Sequence, residues 1–101
     1  MSNAVSNFER YRSVLIDIIS KRLPRCRVYL FGSRARGTHQ SGSDIDLALD
    51  CGEVIDLTVL LKMYNDIDET TIPLSVDLVD IYAASDVLKR IIQKEGIIWK
   101  S

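Results

Sequence analysis

Asp44 and Asp46 stand two apart in Ser43-Asp44-Ile45-Asp46-Leu47, and a Gly32-Ser33 pair precedes them across ten intervening residues. Alternate residues of an extended strand point the same way and lie about 6.5 to 7 Å apart, so the two carboxylates can reach into one small volume. Left alone they would repel and raise each other's pKa, whereas a divalent cation reverses the sign of that problem. Magnesium takes one or two carboxylates, keeps several waters and binds substrate phosphates, so an aspartate pair beside a phosphate cradle suits it. Gly32-Ser33 has the make-up of such a cradle. A glycine lets phosphate approach the backbone, and a helix start beyond it offers N–H groups and a favourable dipole. Ser33 adds a hydroxyl. Arg34 and Arg36 are placed to neutralise outer phosphates, with solvated surface arginine as the alternative for each. Asp77, in Val76-Asp77-Leu78, is an acid in an otherwise apolar stretch and is the candidate third carboxylate of a two-metal site for in-line displacement. Asp80 competes for that role, but it has the other strand parity and lies nearer the strand's end, so it ranks second.

The elements that must position these groups follow from periodicity. Phe8, Tyr11, Leu15, Ile18 and Ile19 recur at helical spacing between Val5 and Leu23, and Pro24 stops that helix. Arg27 to Phe31 reads as a short strand covered on both faces and ending at Gly32. Gly37 to Ser43 has the composition of an exposed loop, and its His39 reads as solvent-exposed ahead of any role near phosphate. Ile45, Leu47 and Leu49 alternate with Asp44, Asp46 and Asp50, which predicts a strand with carboxylates on one face only. Leu57, Leu60, Leu61, Tyr64 and Ile67 predict a second helix capped by Asp56. Leu74 to Ile81 reads as a third strand. Ser85 or Asp86 starts a last helix with Val87, Leu88, Ile91 and Ile92 as its buried face, Gly96 closes it, and Ile97 to Trp99 form a terminal strand. Tyr11, Tyr29, Phe31 and Trp99 fit core positions, while Lys89, Arg90 and Lys94 read as the wet face of the last helix. The order αβ(α)βαβαβ predicts an α/β or α+β fold in one domain over residues 1–101.

Bulk properties narrow the function classes. Of 101 residues, 47% are hydrophobic and 27% charged, an ordinary globular composition. Thirteen basic against fourteen acidic residues leave a net charge of -1, which gives no strong nucleic-acid-binding signal. Cys26 and Cys51 lie outside any Cys-x-x-Cys pattern and read as buried or idle thiols, not as a zinc site or a disulfide framework. No apolar run approaches the roughly 20 residues of a membrane span, and the polar start is unlike a secretory signal, so a cytoplasmic protein is expected.

Taken together, Gly32-Ser33, the ten-residue interval, Asp44-Ile45-Asp46-Leu47 and Val76-Asp77-Leu78 resemble the signature of the polymerase beta superfamily of nucleotidyltransferases. Phe31-Gly32-Ser33-Arg34-Ala35-Arg36-Gly37 with Ser43-Asp44-Ile45-Asp46-Leu47 looks like the minimal nucleotidyltransferase (MNT) branch. The resemblance runs from about Leu23 to the C-terminal helix. It implies a small mixed sheet flanked by helices, with residues 1–101 forming a nucleotidyltransferase catalytic domain and lacking the further domain by which larger members grip base and acceptor. It also implies the roles. Gly32, Ser33, Arg34 and Arg36 would bind the nucleotide, with Ser33 on the terminal phosphates. Asp44 and Asp46 would ligate two Mg2+ ions, and Asp77 would complete the metal site and act on the nucleophile. The implied reaction moves a nucleoside monophosphate, AMP from ATP, to a hydroxyl. Minimal members are often paired with a small helical HEPN-type toxin whose tyrosine receives AMP, so the resemblance implies an antitoxin with such a partner, or self-association. The alternative is a non-catalytic nucleotide-binding partner that neutralises a helical protein by complex formation. A Walker loop is disfavoured, because Gly32 is not followed by Gly-Lys-Ser or Gly-Lys-Thr.

Overall fold

The computed structural model describes residues 7–101, and Val5, the expected start of the first helix, lies outside them. Helix α1 (Asn7–Arg22), strand β1 (Arg27–Phe31), the short helix α2 (Ser33–Arg36), β2 (Ile45–Asp50), α3 (Leu57–Asp68), β3 (Val76–Asp80), α4 (Asp86–Glu95) and β4 (Ile97–Lys100) follow in the expected order, with a 3-10 turn at Ile81–Ala83. The strands form one sheet ordered β3-β2-β1-β4. β1 is antiparallel to β2 and to β4, while β2 and β3 run parallel. The sheet is therefore mixed, as the resemblance implies.

Alternation along the strands divides the core in two. Val28, Leu30, Ile45, Leu47, Leu49 and Leu78 face α1 and α3, where Leu15, Ile19, Met63 and Ile67 complete the larger cluster. The opposite parity puts Phe31 and Ala48 against Ile92 of α4 in a smaller cluster. Caps fix where helices begin. The Asp56 carboxylate accepts from the Thr58 N–H at 2.7 Å, and the Ser85 hydroxyl accepts from the Leu88 N–H at 3.2 Å.

Three expectations need correction. The buried face of α4 is narrower than its spacing implies: Ile92 is buried and Leu88 packs beside it, whereas Val87 and Ile91 are 67% and 39% exposed. On α3, Leu57 and Leu61 are exposed at 68% and 60%, while the expected Ile67 is buried together with Met63, which the spacing did not single out. Cys26 and Cys51 are linked as a disulfide with their Cα atoms 4.2 Å apart. They lie one step beyond the Arg27↔Asp50 pair of the β1–β2 ladder. Two cysteines 25 residues apart carry no local pattern, and antiparallel register alone brings them face to face.

The split core sets different costs for apolar residues that look alike in sequence. Leu47→Ala, which truncates a fully buried side chain, should cost about 3 kcal/mol of unfolding free energy. Val87→Ser should cost less than about 0.5 kcal/mol. Urea denaturation followed by circular dichroism checks both.

Candidate active site

The sheet's register gathers the acids. Asp46 is paired with Asp77 across the parallel β2–β3 ladder and with Phe31 across the antiparallel β1–β2 ladder. The start of β2, the start of β3 and the end of β1 therefore meet, and Gly32 begins the turn directly beside Asp46. Asp46 and Ala48 share the face toward α4, opposite to Ile45 and Leu47. Asp44 sits exposed one residue before β2, and Asp77 is exposed on the edge strand. Burial pushes the Asp46 carboxyl above the ordinary carboxylate range, and the charges of Asp77 and Asp44 push it further, against an opposing pull from Arg36. The three acids thus interact electrostatically at one place.

Asp80 belongs elsewhere. Its buried carboxylate accepts the Ile55 N–H at 2.7 Å and the Tyr82 N–H at 2.9 Å, so it caps backbone on the far side of β3. Its odd offset from Asp77 is what separates the two.

Gly32 is required twice. Its φ of +79° is disfavoured for L side chains, and a Cβ there would run into the Asp46 carboxylate. The backbone can fold tightly over Asp46 only without a side chain. Helix α2 then starts at Ser33, where the first amides of a helix have no intrahelical acceptor. The Gly32 N–H is not among the open donors, because it bonds Glu95 Oε1 at 3.1 Å.

The arginines divide their work. Arg34 donates to the carbonyls of Ser43 at 3.1 Å and Ser41 at 3.2 Å, and its guanidinium lies 4.8 Å from the Phe8 ring centroid. It clamps the loop that delivers Asp44. Arg36 donates to Glu95 Oε1 at 2.9 Å and is the cation that acts on Asp46. His39 is exposed in the loop.

Sequence reasoning missed Glu95 and Tyr64. Glu95 ends α4, where a negative charge opposes the helix dipole. That local misfit was the available signal, and its compensation is the bridge to Gly32 and Arg36. The Tyr64 hydroxyl lies 3.3 Å from Asp77 Oδ1, a contact that helical spacing on α3 could not reveal.

The three aspartates supply hard oxygen donors suited to magnesium. Among the described residues, however, no three His, Cys, Asp or Glu side chains are drawn into a ready-made metal cage. The charge coupling and the missing cage are compatible: the carboxylates are near enough to repel and not so near as to share one point. A cavity of about 410 Å³ under α4 includes Tyr29, Asp50 and Lys89 and none of the candidate site residues. Lys89, expected on the wet face of α4, lines it.

The family model for polymerase beta nucleotidyltransferases matches residues 14–101. The chain belongs to the polymerase beta nucleotidyltransferase family. Its relatives are minimal members. A probable protein adenylyltransferase MntA of Haemophilus influenzae is 29% identical over 86 residues, covering 85% of this chain and 75% of the relative. The protein adenylyltransferase MntA of Shewanella oneidensis is 30% identical over 83 residues, covering 81% of this chain and 59% of that protein. Among solved structures, a chain of a toxin–antitoxin crystal structure with AMP-PNP superposes with a TM-score of 0.74 at 28% identity, covering 87% of this chain and 71% of that one. A chain from the complex of a tri-AMPylated Shewanella oneidensis HEPN toxin with its MNT antitoxin gives 0.63 at 25% identity, with 90% and 70% covered. The fold of this nucleotidyltransferase is thus the one its sequence resembles.

Two outcomes follow from the packed turn and the crowded acids. Gly32→Ala should abolish nucleotide binding, measured by calorimetry with an ATP analogue, because the new methyl group displaces Asp46. A carboxyl whose folded pKa is raised is penalised in its ionised form. That penalty is absent below the unfolded value of about 3.9 and grows as pH rises through the folded pKa. Asp46→Asn should therefore raise the apo-protein melting temperature at pH 7, and the gain should vanish near pH 3; thermal melts at both pH values check it.

Proposed function

We propose that this nucleotidyltransferase transfers AMP from ATP to a hydroxyl, the tyrosine of a small helical HEPN-type toxin, and so acts as an adenylylating antitoxin. The single observation that carries this reading is the Asp46↔Asp77 pair beside the Gly32-Ser33 turn. The adenylyltransferase relatives and the toxin–antitoxin neighbours support the nucleotide and the partner.

In this reading Asp44, Asp46 and Asp77 would hold two Mg2+ ions. Bound there, the ions would neutralise phosphate charge and polarise the α-phosphate. The Ser33 hydroxyl and the first amides of α2 donate to the terminal phosphate oxygens. Arg36, held by Glu95, adds positive charge beside them. Arg34 serves from behind, fixing the loop so that Asp44 enters β2 in place. Asp77, exposed at the sheet's edge, takes the proton of the attacking hydroxyl. The hydroxyl oxygen forms a bond to the α-phosphorus, the bond from that phosphorus to the bridging oxygen breaks, and pyrophosphate leaves.

The site is open on the side of β3, and a partner presenting a tyrosine would close it. Among the described residues no helix is long and apolar enough to cross a membrane. A cytoplasmic setting is part of the proposal.

Incubation with ATP, magnesium and the product of the neighbouring gene should add AMP mass to that partner. Asp44→Asn and Asp46→Asn should each lower the transfer rate by at least about a hundredfold while gel filtration still recovers the complex. Transfer that persists in both variants, read by intact-protein mass spectrometry, would sink the catalytic reading and leave a neutralising binder.

A further inference from the structure

We propose that Tyr64 is a positioning residue for Asp77, which it holds from the free edge of the sheet. The proposal rests on the reading of Asp77 as a metal-binding carboxylate.

β3 is an edge strand, so its outer backbone groups have no neighbouring strand to bond. Tyr64, on α3, brings its hydroxyl to two of them. Its Oη accepts the Leu78 N–H at 2.7 Å and lies 3.2 Å from the Leu78 carbonyl oxygen. The ring packs on the larger core cluster. Both ends of the side chain are therefore anchored, and the hydroxyl has a fixed position independent of Asp77.

From that position the same oxygen lies 3.3 Å from Asp77 Oδ1. A phenol has one proton, so it donates to the Leu78 carbonyl or to Asp77 at any instant. A hydrogen bond to an ionised carboxylate is roughly twice as strong as one to a neutral oxygen, which favours Asp77 when it is charged. The bond engages Oδ1 and not Oδ2. Asp77 is exposed and has no other bonded partner among the described residues. Without the phenol its carboxylate would sample several rotamers, each ordered only when a cation binds. Asp46 needs no such support, because Gly32 closes over it.

Partners that orient a metal-binding carboxylate typically change metal affinity by about ten- to a hundredfold. The test is calorimetric titration of Mn2+ into the full chain with AMP-PNP present, for the wild type, Tyr64→Phe, Asp77→Asn and the double variant. Tyr64→Phe keeps the ring and its packing. It should weaken Mn2+ binding by about tenfold, leave AMP-PNP affinity in the absence of metal within about twofold, and have no further effect in the Asp77→Asn background. Mn2+ binding unchanged in Tyr64→Phe but lost in Asp77→Asn overturns the proposal, because Tyr64 would then be only a brace for the strand edge. Unchanged binding in Asp77→Asn overturns the reading of Asp77 and the proposal with it. A second measurement needs no tyrosine variant. In the wild-type protein the Tyr64 ring carbon bearing the hydroxyl should shift in carbon-13 NMR when Mg2+ and AMP-PNP are added, and should not shift in Asp77→Asn. A resonance that stays still in the wild type also overturns the proposal.

Discussion

Carboxylates brought near one another repel, and the packing of this small protein must overcome that repulsion. Asp46 carries the load: burial and the neighbouring charges of Asp77 and Asp44 all disfavour its ionised form. The opposing force comes from the same strand. Ile45, Leu47 and Leu49 are fully buried against α1 and α3, so β2 cannot slip by one residue without turning that apolar row out and the acids in. Sheet register thus lets hydrophobic burial hold Asp46 beside Asp77 although their charges oppose it.

The second constraint is the turn at Gly32. It lies at the meeting of three strand ends, and its backbone passes so close to Asp46 that no side chain fits. Glu95 ties the turn to the end of α4 by bonding both the Gly32 N–H and Arg36. An acid at a helix C-terminus is locally unfavourable, and here the ion pair and the amide offset that cost. One consequence is electrostatic. Arg36, fixed by Glu95, is the positive charge that tempers Asp46. The last helix therefore reaches the site through one carboxylate, although much of its own apolar face is left in solvent.

Exposed leucines on α3 and exposed Val87 on α4 show the limit of periodicity. Spacing reports which residues of a helix share a face, but not how much of that face another element covers. Only the crossing of each helix over the sheet decides that, and it falls at Met63 and Ile67 on α3 and at Ile92 on α4. The Cys26–Cys51 link has the same origin, since a pairing 25 residues apart exists only once β1 and β2 are in register.

From residue types and spacing alone, the order of elements, the mixed α/β class, the parity that puts Asp44 and Asp46 apart from the apolar row, and the family resemblance were all legible. These are local or periodic properties, carried by backbone propensity and side-chain alternation within single elements. Tertiary structure decided what depends on contacts between elements. The pairing of Asp77 with Asp46 came from the parallel register, the turning of Arg34 to its loop came from hydrogen bonds with Ser41 and Ser43, and the contacts of Glu95 and Tyr64 came from partners 63 and 13 residues away. Local spacing can flag a misfit such as Glu95 at a helix end, but nothing in it records which distant group a side chain will meet once the sheet has closed.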